Sequence, residues 1–288
     1  MSQVSGPPLD VDPSGTAVNR RTAVKRARRV GAYLGDLWRR REFAWFLAMG
    51  NLKARNATTA LGLLWWVLNP LMLGMVYFLV FGILFPSQRD LGYLLVGMFV
   101  FHYSAQALTG GANSILQNSK LLANLRFPRL ILPIANLIEA SFGFLVSLVV
   151  LYAIAIPAGS MRLNANVLLF FAIFPIHFVL NLGLGATAAR LAVPFRDINN
   201  IIPYLTRLWL YMSPIIWPLS FVDRLSPTLQ TVIQWNPLWW IIAVYRSVLL
   251  GDEFNPRDLM WSALSAIVVA VLGVGLFVKY ESRMVRHL

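Results

Sequence analysis

Two ionisable residues stand inside otherwise uncharged apolar runs. Glu139 is the sole charge in Leu130–Ile156, and Arg207 is the sole charge in Ile198–Val222. Each is the tenth residue of its run. At a helical rise of about 1.5 Å per residue, both lie about 14 Å from where the run begins. A charge at that depth in a bilayer is costly, so it must face protein interior or water. Equal depth and opposite sign admit a buried ion pair or a shared water-filled cavity. The alternative is that each separately bonds backbone or an amide such as Asn136. His102 and His177 also stand alone in apolar runs, where a histidine more often bonds a neighbouring helix than relays protons. Other chemistries lack their residues. The sequence has no cysteine, hence no thiolate nucleophile or thiolate metal site. It contains no G-x-x-x-x-G-K-[ST], no G-x-G-x-x-G and no H-E-x-x-H. No paired acids suited to metal binding or glycosyl transfer occur. The chain is therefore expected to have no catalytic site, no cofactor and no metal of its own.

The elements that carry these residues follow from composition. Of 288 residues, 58% are hydrophobic and 13% are charged, against roughly a quarter charged in soluble domains. That excludes a soluble enzyme, a disordered chain and a disulfide scaffold. A membrane-crossing helix needs about 20 mostly apolar residues. Six runs qualify: Leu61–Phe85, Leu91–Thr109, Leu130–Ile156, Val167–Ala189, Ile198–Val222 and Met260–Val278. The expected fold is all-α, a polytopic membrane protein with six transmembrane helices. Ser262, Ala266 and Ala270 recur at i+4 on the last run, and Gly183 and Thr187 on the fourth. Such small residues permit close helix approach, within the bundle or at a homodimer seam.

Charge sets the orientation. If the N-terminus is cytoplasmic, the inner segments hold 19 Lys and Arg and the outer segments five, so the chain is expected N-in and C-in. The formal charge of +13 then anchors the protein to anionic lipid, and nucleic acid is not an expected partner. Residues 1–30 have no apolar core and are not expected to form a signal peptide. They are expected to be a disordered basic cytoplasmic leader, with the transmembrane domain over 31–288.

Three further segments carry patterns. Leu34, Leu37, Trp38, Trp45, Ala48, Met49 and Leu52 recur at helical spacing, as in an amphipathic helix lying in the membrane interface. It is an anchor, or a surface that also holds a partner. Residues 110–129 are expected to form a short helix after Gly110–Gly111, closed by Phe127–Pro128, either a plain connector or a docking knob. Leu238–Leu250, bounded by Asn236–Pro237 and Gly251–Asp252, is too short to span and fits a short extracytoplasmic re-entrant or interfacial helix. Trp235, Trp239, Trp240 and Tyr245 suit an aromatic belt there, or the outer rim of a transport path.

Five blocks in order complete the pattern. They are Leu61-Gly62-Leu63-Leu64-Trp65 through Asn69-Pro70-Leu71, Phe127-Pro128-Arg129 with Pro133, Phe195-Arg196-Asp197, Ser213-Pro214-Ile215-Ile216-Trp217-Pro218, and Asn236-Pro237-Leu238 with Arg246 and Gly251. On these, residues 35–288 resemble the transmembrane subunit of ABC-2 type exporters for cell-surface polysaccharides, the Wzm/TagG-like permeases. The galactan exporters of actinobacterial walls are the branch they most look like. One departure is Lys53-Ala54-Arg55-Asn56, where the family often has Tyr.

The resemblance implies a homodimer working with two copies of a P-loop ATPase, which binds the ATP and Mg. The cargo implied is a lipid-linked polysaccharide of O-antigen, teichoic acid or galactan type, and the site the bacterial plasma membrane. It implies that Asn118, Lys120, Arg126, Arg129, Arg196 and Asp197 couple to the ATPase, and that Trp38, Arg39, Arg40 and Arg41 gate the cytoplasmic side. Trp235, Trp239 and Arg246 would form an extracytoplasmic gate. Sugar rings stack on aromatic faces, so Tyr77, Tyr103, Phe142 and Tyr211 are candidates for the substrate path. The basic N-terminal segment would receive a lipid pyrophosphate, since arginine binds phosphate bidentately. An ABC-2 lipid or drug efflux permease is the alternative function.

Overall fold

A computed structural model describes residues 31–57 (except 34), scattered positions between 61 and 79, 91–156 (except 126), 165–217 (except 196) and 225–284. Among the described residues the regular structure is helical, with no strand. The chain divides into two units, Met1–Arg41 and Glu42–Leu288. In the first, residues 35–39 are helical, and the Arg41 guanidinium lies 4.9 Å from the centre of the Trp38 ring. The elements are α1 (Arg41–Ala57), α2 (Leu91–Gln117), α3 (Ser119–Asn124), α4 (Ile131–Ala155), a 3-10 turn (Ala165–Leu169), α5 (Phe170–Ala192), α6 (Ile198–Met212), α7 (Pro227–Gln234), α8 (Pro237–Leu249) and α9 (Pro256–Met284).

Among the described residues, three helices are long and apolar enough to cross a membrane, over Ile131–Ala153, Asn166–Ala192 and Pro256–Glu281. They overlap three of the six expected runs. The run Leu91–Thr109 lies inside the 27-residue α2. The run Leu61–Phe85 falls largely outside the described residues. The run Ile198–Val222 is not one helix: α6 stops at Met212, and Ser213 is extended (φ −95°, ψ 149°). Pro214 explains the stop, because its ring disfavours helical backbone at the residue before it.

A second correction concerns Gly110–Gly111, expected to break the chain before a short helix. Instead α2 runs through both glycines to Gln117. Their lack of a Cβ serves close packing. A methyl at Gly111 would sit 2.5 Å from Gly185 Cα of α5, and one at Gly110 would collide with the Asn136 amide of α4. The helical knob shrinks to the six residues of α3.

Helices α5 and α9 meet by the same device. A methyl at Gly183 would come within 2.5 Å of the Val269 carbonyl oxygen, and one at Gly273 would collide with Gly183 and Thr187. The small residues expected to permit close approach thus act within one chain at this seam. The core between α2, α4, α5 and α8 is aromatic. Tyr103 stacks on Phe144 at 4.9 Å, Phe144 meets Tyr245 edge-on at 5.6 Å, and His177 accompanies them.

Helix α8 is buried from Leu238 to Leu249, apart from the half-buried Trp240. A helix apolar all round belongs inside a bundle. Its ends fall where the flanking residues place them. The Asn236 side chain accepts from the Leu238 N–H at 3.1 Å, Pro237 occupies the first turn, and Gly251 takes φ 85° just past the end. The aromatic-belt expectation fails here for two residues. Trp239 is 7% exposed and Tyr245 fully buried, whereas Trp235 is 83% exposed. Packing against the bundle outcompetes the interface once the helix folds inward.

Candidate functional site

Three places collect the residues that sequence reasoning singled out. The first surrounds α3. Lys120 is exposed and Asn118 half-buried, its amide donating to the Ser114 carbonyl at 2.8 Å. Asp197, just before α6, is exposed. Arg126 and Arg196 lie outside the described residues. Arg129 is already engaged within the chain. Its backbone N–H donates to Glu281 Oε1 at 2.8 Å, and its Nη1 donates to the Glu281 carbonyl at 2.6 Å. Phe127 packs edge-on against Phe43 of α1 at 5.2 Å. The Phe-Pro-Arg block thus ties the turn after α3 to both α1 and α9.

The second place is where α6 ends and α8 begins. Asn236 gathers four partners. It accepts from Trp209 Nε1 at 2.9 Å and from Leu238, and donates to the Ser213 hydroxyl at 2.9 Å and the Met212 carbonyl at 3.4 Å. Arg246 is 1% exposed. Its guanidinium lies 3.2 Å from the centre of the Tyr93 ring, and Nη2 donates to the Tyr93 and Ile215 carbonyls at 3.4 Å each. A methyl at Gly97 would press on Nη2 at 3.2 Å and on Ile215 Cα at 3.3 Å, so this glycine gives the cation its space. A delocalised cation flat on an aromatic face, bonded to carbonyls, can persist without water. The Ser-Pro-Ile and Asn-Pro-Leu blocks are therefore one structural unit. Trp239 joins it, its ring 5.7 Å from Trp217; Trp235 stands apart, exposed.

The third place was missed in the sequence. A polar cleft of about 780 Å³ opens between α1, α2 and α4. Asn51 comes from α1, His102, Gln106 and Asn113 from α2, and Asn136 and Glu139 from α4. Glu139 is 2% exposed. The signal was present: His102, Gln106, Thr109, Asn113 and Gln117 recur at steps of four and three, a polar stripe along one helix face.

The remaining candidates separate. Arg207 lies on the exposed side of α6, together with Tyr204 and Tyr211. The ion pair with the buried Glu139 does not form. Tyr103 is 2% exposed and bonds Ser141 at 2.7 Å, so it packs in the core of this chain. Phe142 is half-buried beside Trp45, 5.5 Å away. Tyr77 lies outside the described residues. Trp38, Arg39, Arg40 and Arg41 are exposed in the first unit. Among the described residues no cluster of three or more His, Cys, Asp or Glu could hold a metal.

Helices long and apolar enough to cross a membrane, packed beside a polar cleft, are the architecture of an integral membrane protein. The model of the ABC-2 type transporter family matches residues 43–250, and the chain belongs to that family. It is 27% identical over 250 residues to the O-antigen export system permease protein RfbA of Myxococcus xanthus, covering 86% of this chain and 95% of that protein. It is 24% identical over 236 residues to an RfbA of Klebsiella pneumoniae, covering 81% and 90%. The polysialic acid transport protein KpsM of Escherichia coli is 21% identical over 83% of this chain and 93% of its own length.

Proposed function

We propose that the chain is the permease subunit of an ABC exporter that moves a lipid-linked cell-surface polysaccharide across the bacterial plasma membrane. The observation that carries this reading is the nearly end-to-end similarity to permeases of O-antigen and polysialic acid export. ATP and Mg then bind a separate ATPase, two copies per homodimer, in keeping with a sequence that holds no P-loop motif. In this reading the transmembrane domain covers 31–288 after a basic leader, with six spans and both termini cytoplasmic. Phe-Pro-Arg and Phe-Arg-Asp, with Asn118, Lys120, Arg126, Arg129, Arg196 and Asp197, then flank the ATPase. Arg129 acts there through its hold on α9.

Arg207 supports the homodimer. An exposed arginine on an apolar helix is costly against lipid, so its face turns to a second copy or to water between copies. Tyr204 and Tyr211 share that face, one helical turn to either side of Arg207, which keeps Tyr211 on the cargo's path. The buried Arg246 unit holds the outer end together, and Trp38 to Arg41 meet the lipid carrier at the inner surface.

The test is depletion of the permease in its host. Surface polysaccharide should fall while lipid-linked glycan accumulates inside, and a P-loop ATPase should co-purify with tagged permease. Intact surface glycan with altered sensitivity to drugs would instead indicate the efflux reading.

A further inference from the structure

The cleft between α1, α2 and α4 has a definite hydrogen-bonding character. Along α2 two hydroxyls and one N–H of each of two amides turn back into the helix itself. The Asn113 amide donates to the Thr109 carbonyl at 3.0 Å, and the Asn118 amide to the Ser114 carbonyl at 2.8 Å. The Thr109 and Ser114 hydroxyls donate to the Ala105 and Gly111 carbonyls at 2.8 and 2.6 Å. The Gln106 amide nitrogen lies 2.7 Å from His102 Nε2 and, carrying only hydrogens, donates to it. Each amide keeps its carbonyl oxygen and its second N–H for another partner. Glu139 adds a carboxylate to the lining, and among the described lining residues there is no Lys or Arg.

Such a wall, amide-rich with one carboxyl group and no cation among its described residues, favours uncharged ligands that both donate and accept. A phosphate or pyrophosphate offers only acceptors and negative charge, and its recognition relies on cations and N–H donors. Sugar hydroxyls each bring a donor. The volume, about 780 Å³, falls within the range of about 300–1,000 Å³ for ligand clefts. We infer that this cleft binds neutral, hydroxyl-rich sugar rings of the cargo and discriminates against the phosphate of its lipid carrier. The inference rests on the polysaccharide-export reading and adds to it a sugar site separate from the exposed α6 face.

The sequence has no cysteine, so Asn113→Cys and Thr109→Cys each place a single thiol in the full-length permease. Membranes containing the permease–ATPase complex are treated with N-ethylmaleimide, a small neutral reagent that crosses bilayers. The rate of thiol modification is compared between cells making the glycan and cells lacking the transferase that adds its first sugar. A third sample is the second membrane supplemented with sugar-free polyprenyl pyrophosphate. Both thiols should react, several-fold more slowly where glycan is made, and sugar-free pyrophosphate should give no protection. Equal rates with and without glycan, protection by the bare pyrophosphate, or thiols that never react would each overturn the inference. Should one variant fail to accumulate, the other gives the reading. The export reading fails separately, if permease depletion leaves surface polysaccharide unchanged.

Discussion

Asn236 and Arg246 show how much structure one polar side chain can organise where water is excluded. Asn236 caps α8, holds the Trp209 indole and bonds the carbonyl of the last residue of α6. Asn236→Ala removes a helix cap and leaves the indole N–H without its acceptor, so a loss of about 2 kcal/mol is expected. A lowered thermal midpoint of the purified full-length protein would show it. Arg246→Lys keeps the charge but replaces a flat guanidinium with a compact ammonium. It should also cost about 2 kcal/mol, the scale of a desolvated cation–π contact, and a midpoint equal to the natural protein's would contradict that. Arg246 was legible as a member of a sequence block. Its burial was not, because nothing along α8 announces that Tyr93, far earlier in the chain, supplies the ring.

At the scale of elements, run length and turn chemistry served unequally. Leu130–Ile156 became α4 within one residue at each end, because uninterrupted apolar residues bounded by proline leave few alternatives. Gly110–Gly111 misled, since a glycine pair breaks an isolated helix yet permits contact between packed ones. Only Gly185 and Asn136, on other helices, decide which applies. The stop of α6 was readable in Ser213–Pro214 and was overridden by hydropathy alone. The polar stripe of α2 was readable too, but its residues are uncharged and did not interrupt the apolar run. The tie between Arg129 and Glu281 makes a prediction at this scale. Glu281→Ala removes the acceptor of the Arg129 N–H. Amide exchange at that position should then quicken by roughly tenfold, matching about 1.5 kcal/mol for a hydrogen bond to a charged group. Mass-resolved exchange on peptides covering 127–133 would detect it.

For the whole molecule, the sequence carried the class of protein more directly than its geometry. Apolar content and five ordered blocks identify a transporter subunit without any knowledge of contacts. Which residues face one another is fixed by long-range packing, and so Glu139 and Arg207 separated despite matching depth. Arg207→Leu should lower surface polysaccharide strongly while the chain still accumulates, because an exposed residue adds little to the monomer's own packing. Export that survives this change would place the arginine outside the working assembly. Removal of residues 1–30 should leave co-purification of two differently tagged copies intact, and loss of that pairing would assign the leader a part in assembly.

The glycine seam between α5 and α9 limits how such a machine can move. Two helices whose main chains touch cannot slide or part by small degrees, since any gap would open against hydrocarbon with no side chain to fill it. They therefore travel as a single strut. Whatever widens during a transport cycle must do so along surfaces where long, adaptable side chains lie between the helices.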